Sequence, residues 1–579
     1  MNTAVMSQQL LAGALSTALS GSKATLSGAD FEQRLNKLAD VSRNYIQQIE
    51  AVRQNALRTQ AGEACEPIAC ARADPRFRSA VWQEEPYFDL LKQAYLIGSS
   101  FLQELAGTAA VDDKTRRRLQ YFARQYTDAI SPTNFFATNP EAVQLAIDTK
   151  GDSVVAGLKN LLDDIARGQI STHDNAAFEV GRNVATTPGA VVFENELIQL
   201  IQYAPMTETV DERPILIVPP CINKFYILDL QAENSFVRYA VSEGHQVFMI
   251  SWRSATQETA HLTWEDYLKS GIMDAIEVAR QITQSAQVHA LGFCIGGTML
   301  SCATAVLRGR GEDPLATLSL ITVLLDFSET GDIGLLVDEA LVALNEAMIG
   351  RGGVLHGKEL ASIFSSLRAN DLVWPYVVQN YLKGKLPPAL DFLFWNADSS
   401  NLPGPMFCWY LRNAYLENRI RVSGGTHQCG VAVDLLAIDM PVYLLATRED
   451  HIVPWTSAYA TTHLVGGDVR FVLAASGHVA GVINPASRNR RSYWVDGEQG
   501  IGPQTWLDTA REVPGSWWID WSGWLKQLKQ QRSQSVTAPM ALDPAASSRS
   551  SLHLVAMRKQ AQHKTGAQRD PVGMGADPR

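Results

Sequence analysis

Residues 287–308 read QVHALGFCIGGTMLSCATAVLR, and the character of the chain changes half-way along this stretch. The first half, 288–293, is a short apolar run of a length that favours a buried β-strand. From Ile295 onward the apolar residues recur at helical spacing, which predicts an α-helix. Cys294 falls at the junction, with one glycine two positions before it and two glycines shortly after it. Such a sharp turn from strand to helix requires small residues, because larger side chains would collide there.

This pattern predicts the nucleophile elbow of an α/β-hydrolase, with cysteine in the usual place of serine. The turn would lift the sulfur of Cys294 clear of the sheet and aim backbone N–H groups of the helix N-terminus at it, which favours a thiolate. A buried structural cysteine before a glycine-rich turn has the same local sequence. The pentapeptide alone therefore leaves both interpretations open, and the rest of the chain has to supply a base and an acid.

The composition is that of a large globular protein. The chain has 579 residues, 46% of them hydrophobic and 19% charged, with a formal net charge of −10 at pH 7. This charge argues against a general nucleic-acid-binding surface, so we expect no nucleic acid among the partners. No uninterrupted run of about 18 apolar residues predicts a transmembrane helix. The first 21 residues lack the basic segment of a signal peptide.

Seven cysteines are too few and too irregularly spaced for a disulfide framework, which favours a reducing cytosol. Cys65 and Cys70 form a pair without a second pair, so we expect no zinc site and no other metal.

The chain divides into three parts by pattern. Residues 1–185 predict a helical N-terminal domain, in which the first 30 residues are expected to be mobile. Its role is either interaction and regulation or a structural helical cap. Residues 186–532 alternate strands and helices, which predicts a catalytic domain of the α/β-hydrolase fold. Residues 533–579 are rich in Ser, Ala, Pro and Gln and are expected to be a disordered tail.

Within these parts, helices are predicted through 31–49 and near 87–106, 113–130 and 140–167. Strands are predicted at 191–193, 198–203, 215–218, 246–251, 288–293, 318–325, 441–446 and 469–474, the last of these as the final strand. Residues 327–437 interrupt the alternation with helix formers and aromatic residues, which predicts a cap insertion that excludes water from the site.

Two loops after predicted strands supply an acid and a base. Asp450 follows the strand 441–446 and His478 follows the strand 469–474, so the chain order is Cys, Asp, His, as in the hydrolase fold. The predicted triad is therefore Cys294, Asp450 and His478. His451 remains an alternative base, and Asp326, at the end of an earlier strand, remains an alternative acid.

The predicted oxyanion hole combines the N–H group of Ile295, directly after the nucleophile, with one from the loop after Pro219-Pro220. We take Ile222 as the second donor. Farther along, five tryptophans lie between 506 and 524, three of them at helical spacing. They predict either a helix packed over the sheet or a surface that adsorbs to hydrophobic material.

A cysteine nucleophile suits thioester chemistry, because transfer of an acyl group between thiols is nearly isoenergetic and keeps the group activated. With water as the acceptor, such an enzyme is a thioesterase. With a hydroxyl-bearing acceptor it is an acyltransferase, and an acyl group that carries its own hydroxyl can grow into a polyester.

From residue 74 to residue 524 the sequence resembles the polyhydroxyalkanoate synthases, and within them the class I enzymes that make poly(3-hydroxybutyrate). The motifs that carry this resemblance are GFCIGG at 292–297, PPCINKFYILDL at 219–230, SWR at 251–253, FWN at 394–396, REDHIVPW at 448–455 and GHVAGVINP at 477–485. In that family the elbow cysteine, the aspartate of DHIVPW and the histidine of GHxAGVxN are catalytic, which implies Cys294, Asp450 and His478. The tail after Ser533 is unlike the compact ends of the family.

The resemblance also implies a substrate, a product and partners. The substrate would be an (R)-3-hydroxyacyl-coenzyme A, and the product a polyester chain held as a thioester on the cysteine, with release of coenzyme A and no separate cofactor. A cytoplasmic homodimer at the surface of polyester granules, in contact with granule-associated proteins, would follow. The alternatives are an acyl-coenzyme A thioesterase of the same fold and a non-catalytic protein that coats granules.

Overall fold

A computed structural model describes residues 28–63, 65–68, 74–109, 111–174, 176–530 and 535–537. The chain forms two compact units, each built from two segments. The first unit contains the described residues up to Phe178 together with Glu329–Glu417. The second contains Glu179–Ser328 and the described residues from Asn418 onward. The sequence placed the first boundary near 185 and the end of the insertion near 437.

The α-helices of the described residues are, in chain order, α1 (Gly28–Gln60), α2 (Val81–Glu84), α3 (Pro86–Thr108), α4 (Asp113–Ala129), α5 (Pro140–Asp148), α6 (Asp152–Arg167), α7 (Phe236–Ser242), α8 (Trp264–Asp266), α9 (Asp274–Thr283), α10 (Ile295–Gly309), α11 (Gly331–Leu336), α12 (Glu339–Met348), α13 (Gly357–Leu367), α14 (Ala369–Leu372), α15 (Trp374–Tyr376), α16 (Asp391–Ala397), α17 (Gly404–Tyr410), α18 (Trp455–Tyr459), α19 (Pro503–Thr509) and α20 (Trp517–Gln530). Wider π-helical turns occupy Tyr267–Met273, Val377–Leu382 and Leu411–Leu416. None of the helices in the described ranges is long and apolar enough to cross a bilayer.

In the first unit, polar contacts connect the N-terminal helices to the inserted segment Glu329–Glu417. Arg118 on α4 forms an ion pair with Asp338 at 2.8 Å, and Asn160 on α6 donates to the carbonyl of Asn380 at 3.0 Å. The single helix predicted over 140–167 is in fact two helices. Lys150 and Gly151 have φ angles of 52° and 94°, which no α-helix accommodates, so α5 ends before them and α6 begins after them.

The strands of the described residues are β1 (Gly189–Glu194), β2 (Ile198–Tyr203), β3 (Thr209–Asp211), β4 (Ile215–Val218), β5 (Val247–Trp252), β6 (Val288–Phe293), β7 (Leu315–Ile321), β8 (Val354–Leu355), β9 (Leu402–Pro403), β10 (His427–Gln428), β11 (Val431–Ala432), β12 (Val442–Thr447), β13 (Val469–Ala474), β14 (Ser492–Val495), β15 (Arg511–Pro514) and β16 (Ser535–Thr537).

Ten of these strands form one mixed sheet in the second unit, in the order β1-β2-β5-β4-β6-β7-β12-β13-β14-β15. The six central strands from β5 to β13 are parallel, and the strands outside them are antiparallel. Strand β6, which carries the elbow, therefore lies in the middle of the sheet, where ligands of doubly wound folds collect at the carboxyl ends of the strands. A sheet with six parallel strands at its centre agrees with the predicted α/β architecture.

One prediction at the end of the chain was wrong. The strand 469–474 is not the last, because β14 and β15 extend the sheet beyond it as antiparallel strands. Each is only four residues long, and β15 is mostly exposed, so neither gives the longer apolar run by which buried strands are found. Inside the predicted disordered tail, Ser535–Thr537 pairs with β3. The other residues of that tail lie outside the described residues. Of residues 1–30, which are expected to be mobile, 1–27 also lie outside them, and 28–30 belong to α1.

The tryptophan-rich segment is part of the core. Trp517, Trp518 and Trp521 on α20 are buried and surround the ring of Phe236, with centroid distances of 4.9 to 5.6 Å. The indole N–H of Trp521 donates to Ser319 on β7 at 3.0 Å. The interpretation of α20 as a helix packed over the sheet is thus confirmed, and these three side chains are not available to adsorb to a hydrophobic surface.

Candidate active site

Cys294 occupies a strained turn between β6 and α10. Its φ and ψ angles are 53° and −130°, a combination that costs a non-glycine residue about 1–3 kcal/mol. The turn is held on both sides, because the N–H of Cys294 donates to the carbonyl of Ile321 at 3.0 Å and its own carbonyl accepts from Gly297 at 2.8 Å. Cys294 is half-buried, whereas the residues on either side of it are buried.

The glycines around the turn are required by close backbone contacts. A Cβ atom on Gly296 would lie 2.6 Å from the carbonyl oxygen of Pro219, and one on Gly292 would lie 2.9 Å from the backbone nitrogen of Gly297. A side chain on Gly297 would overlap Val323. Real Cβ atoms essentially never approach this closely, so the predicted need for small residues at these positions is explained by the packing of α10 against its neighbours.

The predicted acid and base meet at the same edge of the sheet. Asp450 follows β12 and His478 follows β13, the next parallel strand, so both loops leave the carboxyl ends of adjacent strands. The Nδ1 atom of His478 lies 2.7 Å from Oδ2 of Asp450. Both side chains are buried. The contact at Nδ1 leaves Nε2 as the ring nitrogen that can exchange a proton with a third group.

Asp450 is held by four donors. Its Oδ1 atom accepts from the backbone N–H groups of Ile452 and Val453, each at 2.9 Å, and its Oδ2 atom accepts from Thr447 at 3.0 Å as well as facing His478. Burial alone would raise the pKa of Asp450, but the charge of His478 and these hydrogen bonds outweigh burial and lower it. The carboxylate therefore stays ionised beside the imidazole.

His478 is placed to take up a proton. Its ring stacks on Phe293, the residue before the nucleophile, with centroids 5.5 Å apart. Burial works against a charged imidazole, but the neighbouring Asp450 and a hydrogen bond with Cys294 outweigh it and raise the pKa of His478. A histidine that interacts with a thiol on one side and a carboxylate on the other can draw the proton from sulfur.

Asp326, the alternative acid, is hydrogen-bonded to residues other than the candidate base. Asp326 accepts from the hydroxyl of Ser328 at 2.6 Å, from the side chain of Asn418 at 2.8 Å and from Arg421 at 3.1 Å. These hydrogen bonds connect the end of the first segment of the second unit, near Ser328, to the start of its second segment at Asn418. Asp326 is thus explained as a structural carboxylate. The alternative base, His451, is half-buried in the loop after β12, directly after Asp450.

Both expected oxyanion donors belong to elements next to the sulfur. Ile295 is the first residue of α10, and N–H groups in the first turn of a helix have no acceptor within that helix. Ile222 is half-buried in the loop after β4. That loop is anchored beside the elbow, since the indole of Trp252 donates to the carbonyl of Pro219 at 2.8 Å and Gly296 packs against the same carbonyl.

Two other cysteines of the second unit lack the access that a nucleophile requires. Cys221 and Cys302 are buried, and burial raises the pKa of both thiols, which keeps them protonated and inert. Cys65 lies in the first unit, and its partner in the pair considered for zinc, Cys70, falls outside the described residues. Among the described residues no cluster of three His, Cys, Asp or Glu side chains is arranged to hold a metal ion.

Sequence reasoning missed two contributors to this site, Thr447 and Phe293. Thr447 is the last residue of β12, and its hydroxyl contacts Asp450. Only its position three residues before the predicted acid could have indicated this. The stacking of Phe293 on His478 joins two residues far apart in sequence and left no local signal.

Comparison with known proteins agrees with this geometry. Residues 73–240 match the family described as "Poly-beta-hydroxybutyrate polymerase (PhaC) N-terminus", and residues 214–485 match the α/β hydrolase fold. The poly(3-hydroxyalkanoate) polymerase subunit PhaC of Cupriavidus necator is 50% identical over 494 residues, which cover 84% of this chain and 83% of that protein. The chain belongs to the poly(3-hydroxyalkanoate) polymerase family.

Further relatives in this family are similar over nearly the same length. The subunit PhaC of Rhizobium meliloti is 40% identical over 482 residues, 82% of this chain and 79% of that protein. Poly(3-hydroxyalkanoate) polymerase 2 of Ectopseudomonas oleovorans is 37% identical over 477 residues, 81% of this chain and 84% of that protein. The family resemblance and the α/β-hydrolase fold predicted from the sequence are confirmed, and the chain is an enzyme of the acyltransferase kind.

Proposed function

We propose that this chain is a class I synthase, which polymerises short-chain (R)-3-hydroxyacyl-coenzyme A, such as 3-hydroxybutyryl-coenzyme A, into a polyester and releases coenzyme A. The growing chain is held as a thioester on Cys294. The observation that carries the proposal is the contact of 2.7 Å between His478 and Asp450, beside a cysteine on a strained turn. The poly(3-hydroxyalkanoate) polymerases similar to this chain support the choice of a hydroxyacyl substrate.

The first half-reaction loads the enzyme. His478 takes the proton of Cys294, and the thiolate attacks the carbonyl carbon of the thioester. The N–H groups of Ile295 and Ile222 stabilise the oxyanion that forms. The bond to the sulfur of coenzyme A then breaks, the leaving thiolate recovers the proton from His478, and the acyl group remains on Cys294. Throughout, Asp450 stays ionised and holds the imidazole in the tautomer that leaves Nε2 facing the sulfur.

The second half-reaction lengthens the chain. The hydroxyl oxygen of another acyl unit or chain end attacks the acyl-cysteine, its proton passes to the histidine–aspartate pair, and an ester bond forms. The thiolate of Cys294 is released and regains a proton. No cofactor is needed, because bond exchange between a thioester and a hydroxyl group involves no net oxidation and the thioester itself drives ester formation.

The family resemblance supports a proposal for the cellular location and the assembly. We propose a cytoplasmic homodimer that works at the surface of polyester granules together with granule-associated proteins. Residues 327–437 would act as a cap that keeps water from the acyl-cysteine, and residues 1–185 would form the helical domain that precedes the catalytic domain.

The test is coenzyme A release from (R)-3-hydroxybutyryl-coenzyme A, with the product sized at the same time. Polymer is expected from the native enzyme, and monomeric hydroxy acid would instead identify a thioesterase. Cys294→Ala should stop both coenzyme A release and polymer formation. Cys429→Ala, which replaces another half-buried cysteine of the second unit, is the matched control and should leave both unchanged. Polymer formation by Cys294→Ala would overturn the proposal.

A further inference from the structure

Thr447 ends the strand that leads to the candidate acid. It is the last residue of β12, and its side chain is fully buried. Strand β12 pairs with β7 on one side and with β13 on the other, so its carboxyl end is enclosed by neighbouring strands. The chain turns directly after Thr447, because the N–H of Asp450 donates to the carbonyl of Thr447 at 3.3 Å. This turn brings the carboxylate of Asp450 back onto the side chain of Thr447.

The hydroxyl of Thr447 contacts the carboxylate oxygen that faces the candidate base. It donates at 3.0 Å to Oδ2 of Asp450, the same oxygen that lies 2.7 Å from Nδ1 of His478. The other oxygen, Oδ1, accepts from the backbone N–H groups of Ile452 and Val453 at 2.9 Å each. The carboxylate is therefore held at both of its oxygens, at Oδ2 by side chains and at Oδ1 by the backbone.

The methyl group of Thr447 packs against the loop that carries the base. A Cβ atom on Gly481 would lie 2.5 Å from Cγ2 of Thr447, so this methyl group fills the space beside Gly481. Gly481 closes a turn that contains His478, because its N–H donates to the carbonyl of Gly477 at 2.7 Å. A β-branched side chain has few χ1 rotamers open to it. With the methyl group against Gly481, the hydroxyl of Thr447 is directed to Asp450.

Backbone hydrogen bonds align the two loops, but they do not by themselves orient the carboxylate. The N–H of Arg448 donates to the carbonyl of Ala474 at 2.8 Å, and the N–H of Glu449 donates to the carbonyl of Ser476 at 3.0 Å. These bonds continue the pairing of β12 with β13 into the loops. The torsion between Cβ and the carboxylate of an aspartate is soft, so its value is set by the groups that contact the two oxygens.

We propose that Thr447 is a positioning residue, which fixes the rotation of the Asp450 carboxylate so that Oδ2 faces Nδ1 of His478, an inference that rests on the proposed function. In that function, Asp450 holds the imidazole in the tautomer that leaves Nε2 for Cys294. Because Thr447 is fully buried, it acts on the reaction through Asp450 and not by contact with the substrate. Its hydroxyl therefore affects kcat and not KM.

The test compares two substitutions of Thr447 by initial rates of coenzyme A release from (R)-3-hydroxybutyryl-coenzyme A. Thr447→Val keeps the volume and the branched shape but removes the hydroxyl, and should lower kcat about ten-fold or more at unchanged KM. Thr447→Ser keeps the hydroxyl and removes the methyl group beside Gly481. This variant should lose no more than about three-fold in kcat, because the bond to Oδ2 can still form.

A double-mutant cycle with Asp450→Asn separates positioning from packing. If Thr447 acts through the carboxylate, adding Thr447→Val to Asp450→Asn should change the residual rate less than about two-fold. A role in the packing of β12 would instead lower the rate by the same factor in both backgrounds. Thermal unfolding of each variant gives the folded fraction to which its rate is normalised.

Thr461→Val is the matched control, because Thr461 is equally buried and its hydroxyl has no hydrogen-bond partner among the described residues. It should retain the native kcat. A native rate for Thr447→Val, equal losses for Val and Ser, a raised KM at native kcat, or the same loss in the Asp450→Asn background would each overturn the inference. The proposed function is judged separately, by the size of the product and by Cys294→Ala.

Discussion

Replacing Gly296 by alanine tests the geometry of the elbow most directly. The new Cβ atom would lie 2.6 Å from the carbonyl oxygen of Pro219 and 2.8 Å from its carbonyl carbon, and closer still to the carbonyl oxygen of Val218. Ordinary van der Waals contact begins near 3.4 Å, and all three atoms are backbone atoms that cannot rotate away. Either α10 or the loop after β4 must therefore move by about 1 Å.

The size of the effect follows from that movement. Overpacking of a core position costs about 1–3 kcal/mol of the free energy of unfolding, of which the better helix propensity of alanine recovers up to ~1 kcal/mol. The effect on catalysis is larger, because the two elements that are pushed apart carry Cys294 and the proposed oxyanion donor Ile222. A misplacement of about 1 Å between reacting groups lowers kcat about 100-fold.

Initial rates of coenzyme A release and thermal unfolding of Gly296→Ala measure the two effects separately. The control is Gly98→Ala on α3, where an added Cβ meets no atom within 4 Å. The control should unfold at the same or a slightly higher temperature and retain the native rate. A native rate and a native unfolding temperature for Gly296→Ala would show that α10 and the loop after β4 do not approach as closely as described.

Three further predictions concern the base, the alternative acid and a buried carboxyl group of the core. His478→Gln should lower coenzyme A release at least ~1,000-fold, whereas His451→Gln should cost less than ~10-fold; the reverse ranking in initial rates would identify His451 as the base. Asp326→Asn should lower the free energy of unfolding by ~1–3 kcal/mol, measured with denaturant, and leave the rate near native; a loss as large as that of Asp450→Asn would make Asp326 the acid. Burial raises the pKa of Asp229 from 3.8 to about 6, so its ionisation destabilises the folded state. The contribution of Asp229 to the free energy of unfolding is therefore most favourable below pH 4 and is lost as the pH rises through about 6. Between pH 4 and pH 7 the native chain should lose on the order of 3 kcal/mol of unfolding free energy relative to Asp229→Asn. A difference between the two chains that does not vary with pH would contradict this assignment.

The elbow and the candidate catalytic residues could be predicted from the sequence because their signals are local. A strand, a cysteine and three glycines must be contiguous for the turn to form, and the acid and base follow their own strands in a fixed chain order. The position of Asp450 after β12 and of His478 after β13 was enough to place them at one edge of a parallel sheet. The N-terminus of α5 is likewise determined locally, because the side chain of Asn139, directly before Pro140, accepts from the backbone N–H of Ala142 at 3.1 Å.

Other features depended on contacts between distant segments. Loop order favoured Asp450 over Asp326 as the acid, but the contacts of the two carboxylates, from Asn418 and Arg421 to Asp326 and from His478 to Asp450, could not be read from the sequence. Strand β15 was missed because it pairs at the exposed edge of the sheet, where burial imposes no apolar pattern.

Helix α6 separates the two kinds of information most clearly. The sequence by itself determined that 140–167 is helical, although not the break at Lys150-Gly151, and which residues of α6 share a face, because both follow from a period of 3.6 residues. Only the tertiary structure decided that the polar face is the inner one. Tyr381 and Asn380, more than 200 positions along the chain, supply the partners for Asp164 and Asn160, and this long-range pairing leaves the aliphatic face outside.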